Sequence, residues 1–291
     1  MSDKNVTIFE MGPRDGLQNE KVMIPTAQKI ELINRLSETG LTKIEAASFV
    51  SPKWVPQMAD GADVLAGIHR KSNITYSALT PNLKGYERAK AANADEIAIF
   101  ASASEGFSQH NINCSIEESI QRFEPIMELA KQDGIPVRGY VSCIVECPYD
   151  GAVDPAVVAS TTARLIDLGC YEVSLGDTIG RAKPEEITRM LEAVLARAPA
   201  DQLAGHYHDT SNLALDNIQA SLDLGIRTFD SAVGGLGGCP YAPGAKGNVS
   251  TDAVVQLLHK LGYHTGIDTE KLASVSQYIL SIKQQIQASQ Q

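Results

Sequence analysis

Two histidines near the end of a predicted strand are the clearest chemical signal in this sequence. His206 and His208 stand two residues apart, and on an extended strand both imidazoles point to the same side. Paired imidazoles on one side of a strand suit two ligands of a single metal ion. The alternative interpretation is a pair of ordinary polar residues at the edge of the fold.

Further polar residues follow other predicted strands. Arg14 and Asp15 come directly after the first strand, and the glycine and proline residues around them indicate a tight turn. Without such a turn, Asp15 would be expected to cap the next segment and Arg14 to form a structural ion pair with Glu45. The other candidates at strand ends are Glu45, Ser48, Arg138, Tyr140, Ser142, Ser174, Asp177 and, after the eighth strand, Asn248.

The residue types in this set indicate which metal it would hold. Two imidazoles with carboxylate and amide oxygens form a mixed, mostly hard set of ligands. With open positions left to water, this set favours Mg²⁺ or Mn²⁺, and it is also compatible with Zn²⁺ or Co²⁺.

A glycine-rich segment provides a second kind of signal. Four glycines occur in the five residues Gly234–Gly238, which is too flexible for a helix or a stable strand. A phosphate-binding loop normally leads into a helix with Lys-Ser or Lys-Thr, whereas Cys239 and Pro240 follow here. We therefore interpret the segment as a hinged lid that carries Cys239 over the site. A simple connecting loop is the alternative.

The elements that must position these residues alternate between strand and helix. Eight short β-branched segments are predicted as strands: Val6–Glu10, Lys43–Ala46, Ile74–Leu79, Glu96–Phe100, Val137–Val141, Glu172–Leu175, Leu203–His206 and Thr228–Ala232. Seven segments of helical period follow them: Thr26–Thr39, Asp60–Lys71, Leu83–Ala92, Ser115–Gln132, Pro155–Leu168, Lys183–Ala198 and Thr210–Leu224. Gly40, Gly169 and Gly225 are placed to end three of these helices.

Eight βα units without a break in composition predict one α/β domain over residues 1–291, a (β/α)₈ TIM barrel. An eighth helix and a C-terminal helical extension over about residues 262–291 complete it. The main alternative is an open doubly wound sheet, which would usually carry a glycine-rich dinucleotide loop after its first strand. The residues after Glu10 do not form such a loop. Because barrel enzymes react at the C-terminal ends of their strands, the polar residues above would meet there.

Composition limits the classes of partner and compartment. The formal net charge is −10, which argues against a nucleic-acid partner. No apolar segment approaches the roughly 20 residues of a membrane-spanning helix. Five cysteines without a secretory signal are expected to be free thiols, and Cys114, Cys143, Cys147 and Cys170 are expected to serve packing. The expected location is the cytoplasm, and the C-terminal extension allows a homodimer.

These features resemble the hydroxymethylglutaryl-CoA lyase family over nearly the whole chain. The matching motifs are Gly12–Glu20, Ser48–Met58, Thr80–Gly85, Asn111–Glu118, Ser174–Gly180 and Gly235–Tyr241. The Arg14-Asp15-Gly16-x-Gln18 motif is shared with a wider superfamily of metal-dependent barrel lyases and synthases, whereas the Gly235–Tyr241 loop is much more specific.

The resemblance implies a role for each candidate residue. Asp15, His206, His208 and Asn248 would be the metal ligands. Arg14 would face the thioester carbonyl, Cys239 would be the catalytic thiol, and Glu45 and Asp177 would assist proton movement. The candidate substrate-binding residues are Arg14, Gln18, Ser48, Arg138 and Ser174.

The implied reaction is the cleavage of an acyl-CoA substrate, 3-hydroxy-3-methylglutaryl-CoA, to acetyl-CoA and acetoacetate, as in leucine degradation. The chain has Ser211-Asn212-Leu213 where the family would have Tyr-Gly-Gln, so a substrate with a larger 3-substituent stays open. A synthase of the isopropylmalate or homocitrate type is a second alternative, and it predicts a long regulatory C-terminal region. A non-catalytic barrel scaffold is a third, and a metal hydrolase would be expected to carry its His-x-His after the first strand.

Overall fold

A closed ring of eight parallel strands forms the centre of the molecule. The structure is a computed structural model that describes residues 4–20, 22–237 and 247–289. The barrel strands are β1 (Thr7–Glu10), β2 (Lys43–Ser48), β3 (Thr75–Leu79), β4 (Glu96–Ser102), β5 (Val137–Ser142), β8 (Glu172–Asp177), β9 (Leu203–Tyr207) and β10 (Thr228–Ser231). A short antiparallel hairpin, β6 (Glu146–Cys147) with β7 (Gly151–Ala152), lies outside the ring.

Each barrel strand pairs with the barrel strands before and after it in the chain, and β1 closes the ring against β10. In that closing pair Thr7 lies beside Thr228 and Glu10 beside Ser231. This topology confirms the predicted (β/α)₈ barrel and excludes the open doubly wound sheet.

Helices surround the barrel. Their bounds are α1 (Thr26–Leu36), α2 (Gly61–Gly67), α3 (Leu83–Ala91), α4 (Glu105–Ile112), α5 (Ile116–Asp133), α6 (Pro155–Leu168), α7 (Pro184–Leu195), α8 (Ala214–Asp223), α9 (Thr251–Lys260) and α10 (Thr269–Ser289). The three glycines predicted near helix ends have φ values of +94°, +116° and +92°, the left-handed conformation that glycine adopts without steric cost.

Several features differ from the sequence-based prediction. Helix α4 was not predicted, because its residues have little amphipathic pattern; the helix begins where the Ser104 side chain accepts a hydrogen bond from the Phe107 N–H. The β6–β7 hairpin was not predicted either. Helix α8 begins at Ala214 instead of Thr210, after Asn212 in a left-handed conformation. The C-terminal helix begins at Thr269 instead of residue 262.

The segment before α10 pairs with the N-terminal segment, which explains why the helix begins only at Thr269. The His264 backbone pairs with the N-terminal segment: its N–H donates to the Lys4 carbonyl, and its carbonyl accepts from the Val6 N–H. Helix α10 then packs beside α1, where the Arg35 guanidinium lies 4.2 Å from the centre of the Tyr278 ring. The predicted extension is therefore present and covers the outside of the barrel.

Apolar side chains fill the layer between the barrel and the helices, whereas the barrel interior is partly charged. The largest fully buried side chain is that of Arg138. The four cysteines in the described residues are buried and free, as expected. No helix in the described part of the chain is long and apolar enough to cross a membrane.

Candidate metal and active site at the C-terminal rim

The turn after β1 holds Arg14 and Asp15 in place. Residues Gly12–Gly16 form one wide helical turn, in which the Met11 carbonyl accepts hydrogen bonds from the N–H groups of Arg14 and Gly16. Glycine is required at position 12, because a Cβ atom there would lie 2.5 Å from the Glu10 carboxylate. The tight turn predicted from the sequence is confirmed.

Glu10, which was not among the residues predicted for the site, joins this turn to Val233, just after the last strand of the barrel, and to Thr251 at the start of α9. One carboxylate oxygen accepts from the N–H groups of Gly12 (2.7 Å) and Val233 (2.8 Å), and the other accepts from the Thr251 hydroxyl (2.7 Å). Burial raises the pKa of Glu10 to about 7 against these hydrogen bonds. The sequence signal that could have identified Glu10 is the presence of a glutamate in a predicted strand whose other residues are mostly apolar.

The structure brings Asp15, His206 and His208 together at this rim. One ligand atom from each lies within 4.8 Å of the others, and His206 Nε2 is 3.9 Å from Asp15 Oδ2. The two imidazoles lie on the same side of the chain at the end of β9, as their spacing predicted. Asn248 joins them through a backbone bridge to His208, and its amide donates to Asp15 Oδ2 at 2.8 Å.

The chemistry of this set fits a divalent cation. Burial favours the protonated form of Asp15, but Arg14 and the two imidazoles outweigh it and hold the pKa of Asp15 well below its usual range. Burial, together with the charge of His206, lowers the pKa of His208 to about 4, so its imidazole is neutral at physiological pH. His208 Nδ1 is buried without a hydrogen-bond partner among the described residues. An anionic carboxylate oxygen and a neutral imidazole are the forms in which these side chains bind a metal ion.

Arg14 connects the Asp15 turn to β2. Its Nε donates to Glu45 Oε2 at 2.5 Å and its Nη1 to Asp15 Oδ1 at 2.7 Å. The Tyr140 hydroxyl donates to the other oxygen of Glu45 at 3.2 Å. Burial raises the pKa of Glu45 despite the opposing charge of Arg14. The ion pair considered in the sequence analysis therefore exists, and it lies next to the metal ligands.

Two other candidates lie close to this group. The Gln18 amide donates to Asp15 Oδ1 at 3.3 Å, and the Gln18 side chain is partly exposed. Ser48 is buried at the end of β2, and its hydroxyl accepts from the Val50 N–H.

Arg138 and Ser174 lie inside the barrel and are fully buried. Arg138 forms a two-point ion pair with Asp230, at 2.8 and 3.1 Å, and a second ion pair with Glu172 at 2.8 Å. The Ser174 hydroxyl donates to Asp230 at 2.7 Å. Both side chains use their polar groups within the protein, so this arrangement does not support the expected contact with substrate.

Asp177 ends β8 on the side of the strand opposite to Ser174. Its carboxylate accepts hydrogen bonds from the backbone N–H groups of Gly180 (3.1 Å) and Ala182 (3.0 Å), and burial raises its pKa to about 6. It holds the loop after β8, and a carboxyl group with this pKa is able to exchange protons near neutrality.

Cys239 lies outside the described residues, but its neighbour Gly237 lies close to the candidate metal ligands. A Cβ atom at Gly237 would be 2.9 Å from the Asn248 amide nitrogen and 3.2 Å from Gly16 Cα, and its φ is +93°. Only glycine fits this close approach without strain.

Comparisons with known proteins identify relatives of this chain. The HMGL-like family model matches residues 5–279. A Pseudomonas aeruginosa protein named 3-hydroxy-3-isohexenylglutaryl-CoA/hydroxymethylglutaryl-CoA lyase is 55% identical, over 96% of this chain and 93% of its own.

Two solved structures are also similar. The HMG-CoA lyase from Brucella melitensis is 62% identical with a TM-score of 0.95, covering 96% of this chain and 99% of that chain. An HMG-CoA lyase from Acinetobacter baumannii, in complex with coenzyme A and 3-methylmalate, is 39% identical with a TM-score of 0.91 and covers 96% and 92% of the two chains. The chain belongs to the HMGL-like family.

Proposed function

We propose that this protein is a divalent-metal-dependent carbon–carbon lyase that cleaves 3-hydroxy-3-methylglutaryl-CoA to acetyl-CoA and acetoacetate. The observation that carries the proposal is the convergence of Asp15, His206 and His208 at the rim, with Arg14 hydrogen-bonded to Asp15. The names of the relatives give the substrate, because they are lyases of hydroxymethylglutaryl-CoA.

Asp15, His206, His208 and Asn248 would hold the metal, with Mg²⁺ or Mn²⁺ as the expected ion. The depressed pKa of Asp15, the neutral His208 imidazole and its Nδ1, which has no partner among the described residues, support this assignment. When bound, a divalent cation would orient the substrate and lower the pKa of its tertiary hydroxyl.

The chain's own residues would then manage charge and protons. Removal of the hydroxyl proton allows the bond between the second and third carbons to break, and the electron pair of that bond forms the enolate of acetyl-CoA. Arg14 would stabilise the enolate oxygen, an interaction strongest when negative charge develops there. A proton delivered to the enolate carbon completes acetyl-CoA, and the ketone released is acetoacetate.

Glu45 and Asp177 are the proposed groups for proton movement, and Cys239 is the proposed thiol. Burial raises the pKa of both carboxyl groups, and that of Asp177 reaches about 6, which suits proton exchange near neutrality. Cys239 follows Gly237 by two residues, and two residues span at most about 7 Å. The closeness of Gly237 to Asn248 supports a role for this thiol at the metal site.

A larger substrate is the second candidate, favoured by one relative whose name includes 3-hydroxy-3-isohexenylglutaryl-CoA. The Ser211-Asn212-Leu213 departure directly precedes α8 and follows the His208 strand end. Comparison of kcat/KM for the methyl and isohexenyl substrates decides between them.

The test is incubation of the purified protein with hydroxymethylglutaryl-CoA and Mg²⁺, with separate assays for acetoacetate and acetyl-CoA. The expected result is equal amounts of both products. A His208→Ala variant, matched for folding by circular dichroism, should form neither. Release of free coenzyme A instead of acetyl-CoA would show thioester hydrolysis and refute the lyase assignment. Consumption of acetyl-CoA with a 2-oxo acid would favour the synthase.

The cytoplasmic location and the homodimer stay predictions. Sedimentation of the purified protein tests the dimer, and an acyl-CoA is the small-molecule partner that the proposal requires.

A further inference from the structure

Asp230 is a buried carboxylate inside the barrel that accepts four hydrogen bonds from side chains. It lies in β10 beside His206 of β9 and is 2% exposed. Its two oxygens accept from Arg138 Nη1 (3.1 Å), Arg138 Nη2 (2.8 Å), Ser174 Oγ (2.7 Å) and His206 Nδ1 (3.1 Å).

We propose that Asp230 is a positioning residue that fixes the orientation and tautomer of His206, so that Nε2 presents its lone pair to the metal site. The inference rests on the metal site of the proposed function. Asp230 contacts the proposed ligand His206 but is not itself one of the proposed metal ligands, and it acts only through that histidine.

The chemistry of the contact determines the tautomer. Asp230 forms a two-point ion pair with Arg138 and accepts a hydrogen bond from the Ser174 hydroxyl, so it is a carboxylate that accepts hydrogen bonds and has no proton to donate. His206 Nδ1 must therefore carry the hydrogen of the 3.1 Å bond. In the neutral imidazole this leaves Nε2 without a proton, and Nε2 is the atom 3.9 Å from Asp15.

Arg138 and Ser174 keep Asp230 in place. The two-point pair with Arg138, at 2.8 and 3.1 Å, fixes the plane of the carboxylate. The Ser174 hydroxyl donates to Asp230 Oδ2, the oxygen that also accepts from His206. These contacts give the buried Arg138 a role: it holds Asp230, which in turn orients the proposed metal ligand His206.

Glu172 provides the matched control. Asp230→Asn and Glu172→Gln each replace one carboxylate partner of Arg138 by an amide, but only Asp230 contacts His206. The amide nitrogen that Asp230→Asn introduces would be able to donate to Nδ1 of His206 and so permit the other tautomer.

The experiment measures Mn²⁺ binding to metal-stripped wild-type protein and both variants by calorimetry, without substrate. We expect the Kd of Asp230→Asn to rise about 10- to 100-fold, the usual cost of losing such a partner, and the Kd of Glu172→Gln to stay near the wild-type value. Equal Kd values for the two variants would overturn the inference. Wild-type protein that does not bind Mn²⁺ would refute the proposed metal site and the inference with it.

A second measurement does not depend on the folding of Asp230→Asn. In the Mg²⁺-bound wild-type protein labelled with ¹⁵N-histidine, NMR should show His206 protonated at Nδ1 and not at Nε2. The His206 resonance is assigned by comparison with a His206→Gln protein. A proton on Nε2 of His206 would overturn the inference even if Asp230→Asn does not fold.

Discussion

Replacement of Arg14 by glutamine separates the catalytic role of this side chain from its structural one. The guanidinium is buried between Asp15 at 2.7 Å and Glu45 at 2.5 Å, and Glu45 is fully buried. Removing the cation leaves Glu45 as an unpaired buried charge, which typically costs about 3–5 kcal/mol of stability. The free energy of unfolding should fall by that amount, as measured by urea denaturation.

The catalytic loss should be separate from this loss of stability. If Arg14 stabilises the enolate, Arg14→Gln should lower kcat about 100- to 1000-fold, equivalent to about 3–4 kcal/mol. The rate is measured per folded, metal-loaded molecule, so that instability does not contribute. Arg14→Lys should recover only part of it, because one ammonium group cannot reproduce two directed contacts of a planar fork.

A double variant tests the charge argument. Arg14→Gln combined with Glu45→Gln removes both charges, and its unfolding free energy should be higher than that of Arg14→Gln alone. Three results would contradict the reasoning: a stable Arg14→Gln protein, no recovery of stability in the double variant, or an increase in KM with kcat unchanged. The last result would make Arg14 a substrate-binding residue.

Three further predictions concern the metal and the glycine-rich segment. Activity should disappear in excess chelator and return with Mg²⁺ or Mn²⁺; full activity of metal-free protein would refute the metal site. Cys239→Ser should keep its metal content and Tm but lose most turnover, and near-wild-type turnover would remove this thiol from the mechanism. Gly237→Ala should weaken Mn²⁺ binding, because its Cβ would lie 2.9 Å from the Asn248 amide. Gly134→Ala is the control, at another positive-φ glycine whose added Cβ would meet no atom of the described residues within 4 Å apart from its chain neighbours. It should lose some stability but bind Mn²⁺ normally; equal binding by both variants would contradict this.

Much of the barrel could be predicted from local sequence, because the period of the apolar residues specifies each element. The predicted strand Val137–Val141 and helix Pro155–Leu168 agree with the observed elements to within one residue. The metal ligands were also within reach of sequence reasoning. His206 and His208 share a side of one strand, and Asp15 follows a strand that ends at the same rim.

The interior of the barrel was less predictable, because partners inside it are distant in sequence. Arg138 and Asp230 are 92 residues apart, and the alternation of a strand tells which side a residue takes but not what it meets there. One signal was available. Arg138 is the second residue of β5, about 13 Å from the end of that strand at about 3.3 Å per residue, which is too deep for a residue of the rim.

Glu10 shows how a buried charge that sequence reasoning overlooked leads to a measurable property. It accepts three hydrogen bonds that join the Gly12 turn to Val233 and Thr251, yet burial still raises its pKa from 4.5 to about 7. The folded state therefore binds a proton that the unfolded state loses near pH 4.5. The stability that this proton provides is present below pH 4.5 and is lost as pH rises through about 7.

Comparison with Glu10→Gln isolates this effect from the other titrating groups. A shift of this size corresponds to about 3 kcal/mol, and glutamine keeps the shape of the side chain without titrating. Between about pH 4.5 and about pH 8, the unfolding free energy of the wild-type protein should fall by about 3 kcal/mol relative to that of the variant, as measured by urea denaturation at each pH. Parallel pH profiles for the two proteins would mean that the three hydrogen bonds compensate fully for burial. The Glu10 carboxylate, which joins the Arg14–Asp15 turn to Val233 and Thr251, would then carry a full negative charge at neutral pH.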